Sequence, residues 1–346
     1  TSWYLYTLLN AAGVRTGIIS GYWTGIPGEL EINTTGLSTP EAPVLHQSLA
    51  SMQKVGCTAA VVEVTSHALA ALRVEDISFA GVVFTALGRD HLDFHGSMES
   101  YLETKLHMRD LLTSDGMIFY SEQNAYVHHL DLLPGRRRVL HRDIALTRED
   151  EDWILTQEDT QVRLITGLGE PFQQENLFLA CCAAWDFMLP HASLDLSGIA
   201  PLPGRSEVID SGLGWEAVID YAHNPQGVAA VLHAYPSSHG RKIALFGAAG
   251  GRDRGKRAEM AFIADQSCDV IILTEEDPCD EDPERIFTDL LAGISDKILG
   301  KSLFIIPERY AALQFAVSLM KQGDLLFLLG KGHEQHITLR EGRKKP

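Results

Sequence analysis

The chain has 346 residues, 45% of them hydrophobic and 22% charged, with a formal net charge of -17. That length implies about two domains, since one hydrophobic core rarely grows beyond ~250 residues, and the acidic balance excludes a general nucleic-acid surface, which needs Lys and Arg clustered on one face. The five cysteines, Cys57, Cys181, Cys182, Cys268 and Cys279, include no C-x-x-C pair and no disulfide framework, as expected for a reducing, cytoplasmic setting.

Taken in order, the apolar spacing of Trp3, Leu5, Leu8, Leu9 and Ala12 predicts a helix from the first residue, stopped by Gly13, and residues 16–20 read as a buried strand. "VLHQSLASMQKVG" reads as helix, "TAAVVEV" and "FAGVVFTAL" as buried strands, and "SMESYLETKLHMRDLL" as a long helix. Such alternation predicts a mostly parallel sheet. Between 115 and 170, "GMIFYSE" and "VRLITGL" suggest a small antiparallel flank, after which "ENLFLACCAAWDFML" returns to helix. The apolar run around it is too short to span a bilayer and carries Asp186, so no membrane insertion is expected. "GRRRVL" at 135–140 reads as a solvated basic loop, and "PLPGR" at 201–205 as a hinge. Beyond it, strands "EAVIDYA", "KIALFGAAG", "DVIILTEED", "SLFIIPE" and "DLLFLLG" alternate with helices in a second doubly wound domain.

In open α/β sheets ligands bind beyond the carboxyl ends of strands, so polar residues there carry most weight. Glu63 lies inside an apolar strand, where a carboxylate is costly unless it is paired or meets a metal. "GRDHLDFHG" places His91, Asp93 and His95 within five residues; no further ligand follows at zinc spacing, and one of these histidines could join Glu63 in a magnesium shell on a nucleotide phosphate. On spacing alone Lys105 is a surface residue of its helix. "FGAAGGRDRGKR" lets the backbone approach a ligand and offers cations, although its glycines at 247, 250 and 251 do not have dinucleotide-binding spacing. "LLGKGHE" lacks the earlier glycine and the Ser or Thr of a phosphate loop.

Together, "VVEVTSHAL", "VFTALGRDHLDFHGSMESYLETK", "PGRSE", "VIDYAHNP", "GAAGGRDRGKR", "DPCDEDP" and "LLGKGHE" stand in the order seen in the Mur ligases, the ATP-dependent peptidoglycan-precursor ligases, and the chain resembles them nearly end to end. The resemblance implies a P-loop-type central ATPase domain with a mostly parallel sheet over 1–203, truncated at its N-terminus, and a Rossmann-like C-terminal amino-acid-binding domain over 204–346. Within the family it points to the enzymes that add the third amino acid to UDP-MurNAc-L-Ala-D-Glu, using ATP and Mg2+ and forming an acyl phosphate. It implies Thr1 and Glu63 as magnesium ligands, with His91 on a second magnesium. Lys105 is implied as a carbamylated lysine supporting the metal. Asn176 falls at the adenine site, and Arg205 and Asp220 match residues that close over ATP. Ser66, His67, Arg73 and a hydroxyl pair, either Thr34-Thr35 or Ser38-Thr39, match the part that holds the UDP-muramoyl peptide. Arg257, Gly330 and Glu334 match positions that grip the incoming amino acid.

The chain departs from the family in three ways. The glycines and lysine of the phosphate loop and the small N-terminal domain are absent, so the sequence reads as a fragment not expected to turn over. Ala86 stands where the family usually has Asn, and Thr65 stands for Ser. Enzymes of this kind that use meso-diaminopimelate carry D-N-P-R, whose arginine pairs with the distal carboxylate; here the stretch is Glu276-Asp277-Pro278-Cys279. An acidic pair without arginine favours lysine or ornithine over diaminopimelate. Alternatives are a sister ligase of the folylpolyglutamate or cyanophycin synthetase type, or a non-catalytic binding homologue. A monomer is expected, with the UDP-MurNAc-dipeptide and a free amino acid as its partners.

Overall fold

The computed structural model describes residues 1–188, 193–199, 202–236 and 240–345. They form two compact units, Thr1–Leu87 with Glu99–Ala200, and Gly88–Met98 with Pro201–Pro346. The segment Gly88–Met98, expected in the first domain, therefore groups with the second unit. The expected hinge begins at Pro201, which lies outside the described residues.

The first unit opens with α1 (Ser2–Ala11), β1 (Thr16–Ile19), β2 (Trp23–Ile26), β3 (Glu29–Ile32), α2 (Ala42–Lys54), β4 (Ala59–Val62), α3 (Ser66–Ala70) and β5 (Phe79–Val83). After the short α4 (Leu92–His95) of the second unit come α5 (Met98–Leu106), β6 (Leu112–Ser121), α6 (Val127–Asp131) and β7 (Arg136–Leu140). The hairpin strands β8 (Ala145–Glu149), β9 (Asp152–Gln157) and β10 (Thr160–Ile165), the helix α7 (Pro171–Met188) and β11 (Ser193–Asp195) complete it.

β1 pairs in parallel with β4, Thr16 opposite Ala59, and the sheet continues on its other side through the antiparallel β2 and β3. That hairpin was not read in the sequence; its turn rests on Gly28, whose φ of 88° suits glycine. β5, β6 and β7 form a separate parallel sheet. "GMIFYSE" thus belongs to a parallel strand and not to an antiparallel flank: Ile118, Phe119 and Tyr120 are all buried, as in a strand covered on both faces. "VRLITGL" does lie in the antiparallel part, in β10 against β9.

The middle of α7, 177–185, is apolar around its circumference because it is enclosed. Leu177, Cys181 and Trp185 pack with Leu8 of α1 and with Leu155 and Leu164 of the hairpin strands. A second cluster joins Ile19, Leu45 and Met52 to Ile118 and Val139.

The second unit contains β12 (Glu207–Asp210), β13 (Glu216–Asp220), α8 (Pro225–Ala234), β14 (Lys242–Phe246), α9 (Gly255–Ser267), β15 (Val270–Leu273) and α10 (Pro283–Leu291). It continues with β16 (Leu303–Ile305), α11 (Arg309–Leu319), β17 (Leu325–Leu329) and the small pair β18 (Ile337–Thr338) and β19 (Lys344–Lys345). The main sheet runs β12-β13-β17-β14-β15-β16, parallel except for the edge strand β12. Because β17 inserts between β13 and β14, the strand order reverses there, and the crevice at the carboxyl ends of these strands is the natural ligand position.

Local sequence sets where each helix begins. Asn224 caps α8 by accepting from Gly227 N, with Pro225 in the first turn; Asp282 caps α10 ahead of Pro283, and Glu308 caps α11 through Ala311 N. The tail of the "DPCDEDP" motif is therefore a helix start.

Candidate active site

In the first unit Thr1, Glu63 and Lys105 line one cavity of about 480 Å³, which lies between β4 and β5. Glu63 follows β4, and its Oε2 accepts the Gly21 N–H at 2.9 Å, a bond that holds the side chain at the strand end. The Thr1 hydroxyl is 2.5 Å from Asn176 Oδ1, and Asn176 Nδ2 donates to the Phe172 carbonyl one turn back on α7. Lys105, in the last turn of α5, has its Nζ 5.5 Å from the centroid of the Tyr101 ring. The structure thus brings together four residues separated by up to 175 positions.

Thr39 is fully buried, donates to the Glu63 carbonyl at 2.8 Å and accepts from Thr65 N. Arg73 Nη1 donates to the Thr39 carbonyl at 3.1 Å, and Arg73 pairs with Glu41 at 2.8 Å. Ser66 and His67 open α3, directly after Thr65, whose hydroxyl caps that helix. Ser38-Thr39 therefore lies beside Glu63. Thr34-Thr35 sits on an exposed turn, the Thr35 hydroxyl bonding Asn33.

Among the described residues no three His, Cys, Asp or Glu side chains converge in a metal-binding group. A hydroxyl at Thr1 and a carboxylate at Glu63, facing one cavity, are the hard oxygen donors that suit magnesium, which keeps several waters and takes few protein ligands.

In the second unit the motif residues gather at strand ends. Asp220 closes β13, and its carboxylate accepts from Ser206 N at 2.7 Å and from Ala222 N at 2.7 Å. Burial raises its pKa, an effect that Arg205 and these bonds oppose. The Arg205 guanidinium lies 4.5 Å from the centroid of the Tyr221 ring, and the Tyr221 hydroxyl donates to Glu334 Oε1 at 3.0 Å. Gly204 makes the "PGR" and "GKGHE" stretches touch: a Cβ there would stand 2.2 Å from His333 N.

Glu276 is buried beside Gly330, where an added Cβ would meet Glu276 Oε2 at 2.2 Å. That oxygen has no hydrogen-bond partner. Desolvation raises the Glu276 pKa against the charges of His223, Arg309 and Lys331. The expected acidic pair does not stand free as a pair. Lys331 Nζ bonds both oxygens of Asp277, at 2.9 and 3.0 Å, and also bonds Glu334, while Thr338 N donates to Asp277 Oδ1.

Arg257 is fully buried, and its Nη atoms are taken by Glu281, Asp289 and the Ala249 carbonyl. It is a strut of the loop rather than a side chain facing a ligand. The cation presented by that loop is Arg252, 52% exposed and 3.9 Å from Asp93. His91 caps α4 with a left-handed φ of 56°, on the segment grouped with this unit.

Sequence reading offered Arg252 only as one of several cations in its loop, weighed Lys331 only as part of a phosphate loop, and gave Arg309 and Asp90 no role. Arg309, at the start of α11, donates to the carbonyls of Glu275 and Leu329 and so ties together the ends of β15 and β17. Asp90 is buried with Lys256, and hydrogen bonds and charge from His223 and Lys256 outweigh burial to hold its carboxyl far below the usual range. The only signal for it was its neighbour His91.

Residues 1–181 match the family described as Mur ligase middle domain, and 204–332 match Mur ligase, glutamate ligase domain. The chain is 32% identical over 366 residues to the UDP-N-acetylmuramoyl-L-alanyl-D-glutamate--2,6-diaminopimelate ligase of Coxiella burnetii, covering 98% of this chain and 72% of that protein. It is 32% identical over 387 residues to the UDP-N-acetylmuramyl-tripeptide synthetase of Treponema pallidum, with 96% and 72% covered. A solved structure of a UDP-N-acetylmuramoyl-L-alanyl-D-glutamate--2,6-diaminopimelate ligase superposes with a TM-score of 0.58 at 26% identity, over 99% of this chain and 72% of that one.

Proposed function

The chain belongs to the Mur ligase family of ATP-dependent peptidoglycan ligases, and from that premise we propose that it joins a diamino acid with a free side-chain amine, lysine or ornithine, to UDP-MurNAc-L-Ala-D-Glu. The observation that carries this reading is Glu276: a buried carboxylate oxygen without a partner, at the strand ends, with Cys279 and no arginine three residues on. A carboxylate so placed accepts from an ammonium group. The distal carboxylate of diaminopimelate would meet the Glu276 carboxylate there, with no arginine at position 279 to pair with it.

In the mechanism the dipeptide carboxylate attacks the γ-phosphorus of ATP, ADP leaves, and the amino acid's amine displaces phosphate from the acyl phosphate. Thr1 and Glu63 would hold magnesium, which supplies charge neutralisation to the phosphates when bound. Lys105, carbamylated, would add a negative group on the same cavity wall, and Asn176 would orient the base. Ser66, His67, Arg73 and the Ser38-Thr39 pair would hold the muramoyl peptide. Arg205, stacked on Tyr221, and Asp220 would meet the nucleotide from the second unit's strand ends. Arg252 would take the amino acid's α-carboxylate, while Glu334 and Glu276 take its amines. Positioning and electrostatics of this kind supply most of the rate in phosphoryl transfer. The protein would act as a cytoplasmic monomer; among the described residues no helix is long and apolar enough to cross a membrane.

The test is phosphate release by the full gene product from ATP with UDP-MurNAc-L-Ala-D-Glu and lysine, ornithine or meso-diaminopimelate in turn. Release with lysine or ornithine at several times the diaminopimelate rate supports the reading. Equal rates with diaminopimelate and lysine sink the specificity.

A further inference from the structure

Two reciprocal ion pairs fix the Gly88–Met98 segment within the second unit. Arg89 donates to Asp253 from Nε at 2.9 Å and from Nη2 at 3.3 Å. In the opposite sense, Lys256 Nζ donates to Asp90 Oδ1 at 2.8 Å, with both side chains buried. The same Asp90 oxygen accepts the His91 N–H at 2.9 Å, and Asp90 Oδ2 faces His223 Nε2 at 3.2 Å and Asn224 Nδ2 at 3.4 Å. Asp253 N donates to Asp93 at 3.2 Å. Both loop partners, Asp253 and Lys256, flank Gly255, where a Cβ would lie 2.1 Å from Arg89 Nη2.

Burying a charged pair is costly and yields little net stability, so its value lies in selecting one arrangement over its neighbours. Here the arrangement selected includes the left-handed backbone of His91, a conformation unfavourable for a residue with a side chain. The same bonds seat the loop that carries Arg252.

We infer that Asp90 and Lys256 are positioning residues for the ligase reaction, forming with Arg89 and Asp253 a latch that sets His91 and the Arg252 loop in one register. This rests on the ligase reading above, and the test separates the two. Lys256→Met and, as the milder variant, Arg89→Met are prepared in the full gene product. Amide exchange is followed by peptide, together with kcat and the KM for ATP. A latch makes exchange in 88–98 at least about tenfold faster while the β13 to β17 core keeps its protection. It lowers kcat by about tenfold or more, with the ATP KM within about twofold of the unaltered protein. Unchanged exchange in 88–98 in both variants overturns the inference. So does a rise spread over the whole second unit, or faster exchange with an unaltered kcat. If the unaltered protein releases no phosphate with any amino acid, the functional reading fails and the exchange data alone decide the latch.

Discussion

Lys331 Nζ lies 2.9 Å from Asp277 Oδ1 and also bonds Glu334, so one buried ammonium holds two carboxylates and Glu276 is left as the carboxylate whose Oε2 lacks a partner. Glu276→Gln should therefore raise the KM for lysine or ornithine, with little change in the KM for ATP. A charge-assisted hydrogen bond contributes about 1.5–3 kcal/mol, which corresponds to roughly a ten- to hundredfold change. Steady-state phosphate release measures it, and an amino-acid KM within twofold of the unaltered protein would contradict the assignment.

Two of the three arginines in the glycine-rich stretch, Arg257 and Arg252, should behave differently. Arg257→Met leaves Glu281 without its arginine while Asp289 keeps Arg254, and breaking a buried pair in this way costs about 3–5 kcal/mol of stability. Arg252→Met should leave the unfolding midpoint in place and raise the amino-acid KM. Thermal unfolding and kinetics on both variants give the contrast.

Acid should unfold the second unit through the same network. The hydrogen bond from Arg257 holds Glu281 down at about 2, against its ordinary value of 4.5, and Arg254, then Arg257, lowers Asp289. Both carboxyls have depressed folded values, so their stabilisation is present above about pH 4.5 and is lost as the pH falls from there toward 2. Urea midpoints measured across that window should fall, and Glu281→Gln should flatten the decline.

Gly204→Ala should destabilise the second unit by about 2 kcal/mol or more, because the new Cβ meets backbone at His333 and Gly332, which no rotamer change relieves, and φ is 67° there. Gly212→Ala, with a similar φ of 69° and open space around the Cβ position, is the control for strain alone. Equal losses in the two variants would remove the close-approach argument.

Much of this protein was determined locally. The helix from Ser2, the buried strand β1, the positions of β4 and β5, and the alternating series after Glu216 follow from apolar spacing and from caps such as Asn224 and Asp282, which act within a few residues; β4 and β5, expected to be buried, bury only Val61 and Val82 because they line the cavity. The order of the motifs also carried the family. Pairings over long separations were not legible. The hairpin at 23–32 and the parallel placement of β6 depend on which edges meet, and composition does not encode that. Charge partners were decided last and only in three dimensions. Arg257 and Arg252 look alike in "GGRDRGKR", yet one is enclosed by Glu281 and Asp289 and the other faces outward. Likewise "EEDPC" reads as an acidic pair until Lys331, more than fifty residues on, folds back onto Asp277. A carboxylate's role is set by its nearest cation and by its access to water, and both are properties of the packed chain.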